Sequence, residues 1–140
     1  MSVADNKAIV RRLHEEVWSQ GRLAVADELV ASDFVGHFPG ATDYRGPAGV
    51  KAVVSELRAG FPDLVLTIDD QFGEGDRVVT EFSVRGRQRG KLWGIPATGR
   101  GINLTGVVIT RLSGEKIVEE WREWDRRKVL EQLGMLPATG

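Results

Sequence analysis

From residue 5 to 19 the chain reads DNKAIVRRLHEEVWS, with Ile9, Leu13 and Val17 at four-residue steps and Val10 and Trp18 beside them. One apolar stripe at that spacing predicts an amphipathic helix, and Gly21 is placed to end it. Leu23, Ala26, Leu29 and Val30 repeat the spacing and predict a short second helix over 22–31. The stretch SDFVGHFPG is too short and too rich in glycine and proline for a helix, and reads as a brief strand running into a loop. Pro47 after Gly46 is a helix start, because proline's fixed φ suits the first helical position. Val50, Val53, Val54 and Leu57 then follow at i, i+3, i+4 and i+7, and Gly60 with Pro62 ends the run.

Beyond residue 62 the period changes from 3.6 to 2. LVLTID (64–69) alternates, as does RVVTEFSVRGR (77–87) after the turn GEGD, and INLTGVVITRL (102–112) joins KIVEEWREWD (116–125) through the compact turn SGEK. The last segment, RRKVLEQLG, is a helical tail closed by Gly134. Helices therefore come first and short-turned strands second. Short connections predict antiparallel strands, and helices gathered on one side of such a sheet define an α+β fold. A curved sheet of this kind wraps its helices and leaves a pocket between the layers.

Composition narrows this without redirecting it. The 140 residues suit one domain, and a net charge of −1 with 28% charged residues argues against nucleic acid or an anionic membrane as partner. The basic cluster Arg85, Arg87, Arg89 and Lys91 reads as a solvated edge strand. No cysteine is present, which removes disulfides, thiol nucleophiles and thiolate metal sites, and two histidines are too few for a His-rich metal site. The opening MSVADNKAIVRRL lacks the apolar core of a signal peptide, and no run approaches the roughly 20 apolar residues of a membrane span. The expectation is a soluble, cytoplasmic protein.

Candidate chemistry gathers in the last strand, which carries Glu119, Glu120, Glu123 and Asp125 beside Trp121 and Trp124. A carboxylate in water is a weak base with a pKa of about 4. Packed against indole rings it loses solvation and becomes a useful proton shuttle near neutral pH. Asp125 also precedes RRKVLEQLG and suits the N-cap of that helix, and the two roles are compatible. In a regular strand Glu119, Trp121, Glu123 and Asp125 share one face, and Val118, Glu120, Arg122 and Trp124 the other. A bulge after Trp121 would exchange Glu123 for Trp124 on the pocket side, so the register stays open. Glu119 and Glu120 read as solvated, or paired with Arg111 or Lys116. Arg111 is expected to bridge to one of these glutamates, or else to polarise a carbonyl. His14 reads as surface or helix edge.

Several segments together resemble the SnoaL-like polyketide cyclases, within the NTF2-like cone-shaped α+β barrels. They are VWSQGRLAVADELVASDFVGH, GPAGVKAVVSELRAGFPDL, WGIPATGRGINLTGVVITRLSGEKIVEEWREWD and VLEQLGMLP, in that order. The resemblance spans about Asn6 to Pro137. It implies a cofactor-free enzyme of polyketide metabolism in which an aspartate near the end of the last strand is general acid/base, and Asp125 fits that position. Such a cyclase removes a proton from a carbon between carbonyls and lets the enolate attack a carbonyl of the same molecule. The resemblance also implies a cavity-facing histidine at His37, a pocket mouth formed by residues 93–101, and a sheet that pairs back to back in a homodimer or homotetramer, for which Val79 and Val107 are candidate exposed positions.

The expected site is then Asp125, His37 and Arg111 for catalysis. Trp18, Phe38, Phe61, Trp93, Trp121, Trp124 and Glu123 would line a cavity for a small aromatic or hydrophobic polycarbonyl compound. Each aromatic also serves as core. Phosphate-cradling glycine loops, a GxSxG elbow and metal-ligand spacings are absent from the sequence. The fold leaves two other functions open: an epoxide hydrolase, isomerase or hydroxylase, the epoxide hydrolase needing an Asp–Arg–Asp arrangement for which Asp125 and Arg111 lack an obvious second inward aspartate, and a non-catalytic small-molecule binder.

Overall fold

A computed structural model describes residues 2–38 and 40–137; Met1, Pro39 and residues 138–140 lie outside it. Helix α1 (Val3–Arg12) opens on a capping box. The Ser2 hydroxyl accepts from the Asp5 amide at 3.1 Å, and the Asp5 carboxylate accepts from the Ser2 amide at 3.2 Å. The helix then widens into a π-helical stretch, Leu13–Ser19, and Gly21 turns the chain away at φ +70°. The buried stripe of this long helix is Val10, Leu13, His14, Val17 and Trp18. It is centred one residue beyond the predicted line, so Ile9 is only half-buried and His14 is fully buried.

Helix α2 covers Val25–Leu29 only, because Val30 already takes extended angles and opens β1 (Val30–His37). A two-residue β2 (Tyr44–Arg45) leads into α3 (Gly46–Gly60), which starts with Pro47 in its first turn and buries Val50, Val54 and Leu57. Strands β3 (Val65–Glu74), β4 (Arg77–Arg87), β5 (Gly101–Ser113) and β6 (Lys116–Trp124) follow, and α4 (Arg126–Gln132) closes the fold.

The six strands form one curved, unclosed sheet in the order β2-β1-β6-β5-β4-β3, so the architecture is α+β. Pairings from β3 through β6 are antiparallel, as short turns require. The exception is β1, which runs parallel to β6 and places the last strand between the first and the fifth. Strand β4 lies between β3 and β5, so Arg85 and Arg87 are exposed on an interior strand rather than on a sheet edge, and the exposed Arg89 and Lys91 follow it. The helices cover one face of the sheet, and a continuous hydrophobic core fills the space between.

One irregularity positions the site. Arg111 pairs with Glu119 but Leu112 pairs with Ile117, which leaves Val118 as the extra residue of a bulge. Ile117 faces the core before it, and Glu120, Arg122 and Trp124 face the core after it. Register is continuous from Glu119 to Trp124, with no bulge after Trp121.

Candidate functional site

The bulge at Val118 divides the expected site residues between two sides of the sheet. On the outer face His37 stands in register with Trp121, their rings stacked with centroids 5.6 Å apart. Its Nε2 meets Glu119 Oε2 at 2.8 Å and its Nδ1 meets Asp43 Oδ1 at 3.2 Å, while Arg111 Nη2 donates to Glu119 Oε1 at 3.1 Å. The hydrogen bond to Glu119 holds the His37 imidazole above its ordinary pKa, and the same bond holds the Glu119 carboxyl below its own. The histidine expected to point into the cavity therefore lies on the opposite side. Arg111 takes the cross-strand pairing that its position allowed. Val79 is half-buried and Val107 is 42% exposed on this outer face.

Asp125 ends β6 in solvent. It is exposed, and its Oδ1 accepts from the Lys128 amide at 3.1 Å as the N-cap of α4. The groove it borders, with Glu81, Val107 and the exposed Glu123, is about 590 Å³ and open. The enclosure of Asp125 between two indoles that the sequence suggested is not found: Trp124 is buried, and Trp121 lies half-buried on the outer face against His37.

The inner face carries the residues that sequence reasoning did not assemble. Glu120 and Arg122, expected near solvent and left unassigned respectively, are both about 1% exposed and joined at 3.1 Å through Arg122 Nη2 and Glu120 Oε2. The same Nη2 lies 2.9 Å from His14 Nε2. His14 Nδ1 is 2.8 Å from the Val10 carbonyl, which can only accept, so Nδ1 carries the ring proton and Nε2 accepts from the arginine. Burial first, and the Arg122 charge second, push the His14 pKa down to about 3, so the ring is neutral. Trp18 and Phe82 stack on the guanidinium at 4.3 and 5.4 Å.

Tyr44 completes the chain by donating its phenol proton to Glu120 Oε1 at 2.5 Å. This reach depends on Gly36, which pairs with Tyr44 on one side and with Glu120 on the other. A Cβ at Gly36 would lie 2.2 Å from the Tyr44 ring, so the ring crosses β1 only because that position has no side chain. Burial and the adjacent carboxylate hold the Tyr44 phenol well above its ordinary pKa.

Two neighbouring chambers adjoin this network. The inner one, about 10 Å³, is lined by Trp18, Leu57, Phe82, Arg122 and Trp124 among others. The mouth chamber, about 90 Å³, is lined by Phe38, Tyr44, Leu57, Trp93, Trp124 and Arg126 among others. Leu57 and Trp124 belong to both walls, and Phe38 meets Trp124 edge-on at 5.5 Å. Trp93, held at φ +49°, lies under the Arg126 guanidinium at 4.1 Å, and its loop is pinned by Gln88 through Ile95 and Thr98. The fully buried Phe61 is core and borders neither chamber. Among the described residues five buried side-chain polar atoms have no protein partner: the Thr110 hydroxyl, and Arg122 Nε and Nη1, Trp18 Nε1 and Trp124 Nε1. The four nitrogens belong to residues lining the inner chamber, whose lining therefore offers donors to an acceptor. Among the described residues no group of three or more His, Asp or Glu side chains is placed to hold a metal ion, and no helix is long and apolar enough to cross a membrane.

Residues 8–133 match the profile of the SnoaL-like polyketide cyclases. The chain belongs to this family. Among SnoaL-like relatives it is 29% identical over 132 residues to aklanonic acid methyl ester cyclase DnrD of Streptomyces peucetius, covering 90% of this chain and 88% of that one. A solved SnoaL-like polyketide cyclase from Jannaschia sp. CCS1 superposes with a TM-score of 0.88 at 26% identity, over 96% of this chain and 94% of the other. AclR of Streptomyces galilaeus, described as a hydroxylase, gives 0.86 at 25% identity over 99% and 87%. The SnoaL-like fold is thus shared along almost the whole chain, and cyclase and hydroxylase descriptions both occur on it.

Proposed function

We propose that this protein closes a ring in a polycarbonyl, polyketide-like substrate by an intramolecular aldol-type reaction that needs no cofactor, with the chemistry on the inner face of the sheet. A proton leaves a carbon flanked by two carbonyls, and the resulting enolate carbon forms a bond to a carbonyl carbon of the same molecule. That carbonyl oxygen then takes up a proton. Negative charge gathers on oxygen at both stages.

The observation that carries the reading is Arg122, a buried cation with two unpartnered N–H groups in a wall shared with two unpartnered indole N–H groups. Donors fixed in a dry site stabilise a developing oxyanion without reorganising, and each is worth about 10²–10³ in rate. Charge and indoles thus meet on the inner face, while the outer-face carboxylates are solvated or already paired. The chambers are small, so a multi-ring guest enters by displacing Trp124 and Phe38, the rings between mouth and interior.

The test is deuterium exchange at the acidic carbon of ethyl 2-methylacetoacetate, followed by NMR against the buffer rate, with mass spectrometry of a linear poly-β-ketone for ring closure. The native protein accelerates exchange, and Arg122→Met lowers that acceleration by about 100-fold or more. Arg122→Met retaining the rate while Asp125→Asn abolishes it would return the chemistry to the end of β6. Binding of the dicarbonyl with no exchange would make the protein a carrier.

A further inference from the structure

A charge removed from solvent needs its counter-charge close by, and the inner face holds one matched pair. Glu120 and Arg122 are both about 1% exposed and 3.1 Å apart. Such a pair adds little to stability, because desolvating two ions offsets most of their attraction. Its partners are specific nonetheless. Glu120 Oε2 is held by Arg122, Oε1 by the Tyr44 hydroxyl at 2.5 Å, and β1 is reduced to Gly36 where the Tyr44 ring crosses it. Of the four network residues His14, Arg122, Glu120 and Tyr44, Tyr44 lines the mouth chamber and Arg122 lines the inner one.

We infer that Glu120 is the base of the proposed reaction and that Tyr44 relays the proton to it. The inference rests on the cyclase reading above. The Tyr44 oxygen takes the proton from the substrate carbon as its own proton passes to Glu120 Oε1. One C–H and one phenolic O–H bond break, and a new phenolic O–H and a carboxylic O–H bond form. The electron pair of the C–H bond becomes the enolate. The phenol is restored within the step, in keeping with burial that disfavours a free phenolate.

The charge balance favours this route. Before the step Arg122 faces the Glu120 carboxylate; after it Glu120 is neutral and Arg122 faces the enolate. A buried ion pair is exchanged for another with the same cation, so the dry interior never holds an isolated charge. Arg122 Nη2 stays tied to neutral His14, which accepts a hydrogen bond without cancelling the cation, and Nε and Nη1 remain free to turn to the substrate. His14 is therefore a positioning residue.

The experiment compares Tyr44→Phe and Glu120→Gln with the native protein in the same exchange assay. Dicarbonyl binding is read in parallel by quenching of tryptophan fluorescence, and folding by circular dichroism. Tyr44→Phe keeps the ring over Gly36 and is the variant that folds most readily. Both variants are expected to lose exchange by about 10²–10⁴-fold, the usual worth of a positioned acid/base, with the dissociation constant changed by less than about threefold. Loss of binding in proportion to rate would show a structural role and overturn the relay. Exchange surviving in folded Tyr44→Phe while Arg122→Met loses it would reject the relay and leave the cyclase reading standing. No exchange by the native protein would remove both.

Discussion

Asp125 accepts a hydrogen bond from the Lys128 amide at 3.1 Å, and through it the open end of α4 is tied to β6. Removing an N-cap acceptor costs about 1 kcal/mol, so Asp125→Ala should lower the unfolding free energy read from urea titration by that amount, and an unchanged midpoint would deny the cap. This role was legible, because an aspartate before RRKVLEQLG invites it. His14 was less so, although it stands four residues after Val10 and four before Trp18, on the stripe that the helix buries. A polar side chain in an apolar row reads as an edge until something shows what it bonds, and its partner Arg122 lies 108 residues away. Arg122 itself sits between Trp121 and Trp124 among acids, and only strand parity tells which neighbours it meets.

At the scale of elements the sequence periods located the four helical segments and the four long strands, since amphipathic spacing is a local property, but not the two-residue β2 or the π-helical widening after Arg12. They could not locate the Val118 bulge, because no residue type demands one there, and the bulge decides that Glu120 rather than Glu119 turns inward. Nor could they show β1 running parallel to β6, which depends on how the helices return the chain to the sheet. Gly36 offers a sharp check on that arrangement. A methyl group there meets the Tyr44 ring, so Gly36→Ala should destabilise the fold by about 1–3 kcal/mol in denaturant titration, the range for overpacking. On a Tyr44→Ala background most of that penalty should vanish, whereas two additive losses would place the ring elsewhere.

Over the whole molecule, the two histidines set opposite limbs of a stability profile. His14 is buried neutral with its pKa near 3 against an ordinary 6.5, so the unfolded chain binds its proton first and stability falls as the pH drops from about 6.5. The Glu119 carboxyl, held below its ordinary value, adds to this acid loss as the pH falls through its folded-state pKa. His37 is raised, so its contribution is complete below about 6.5 and disappears as the pH climbs through its higher folded-state value. Urea midpoints taken across pH 4–9 should therefore peak in between, and His37→Gln should flatten the alkaline side; a profile level from 6.5 down to 4 would contradict a neutral His14. The position of β6 has a further consequence for how the chain is made. Because β6 slots between β1 and β5, both of those emerge from the ribosome with a bare backbone edge, and the acid–arginine interior has no acid and no arginine until residues 120 and 122 arrive. Nascent chains halted before residue 120 should consequently be sticky and chaperone-dependent, and should lack the proton exchange proposed for the finished fold.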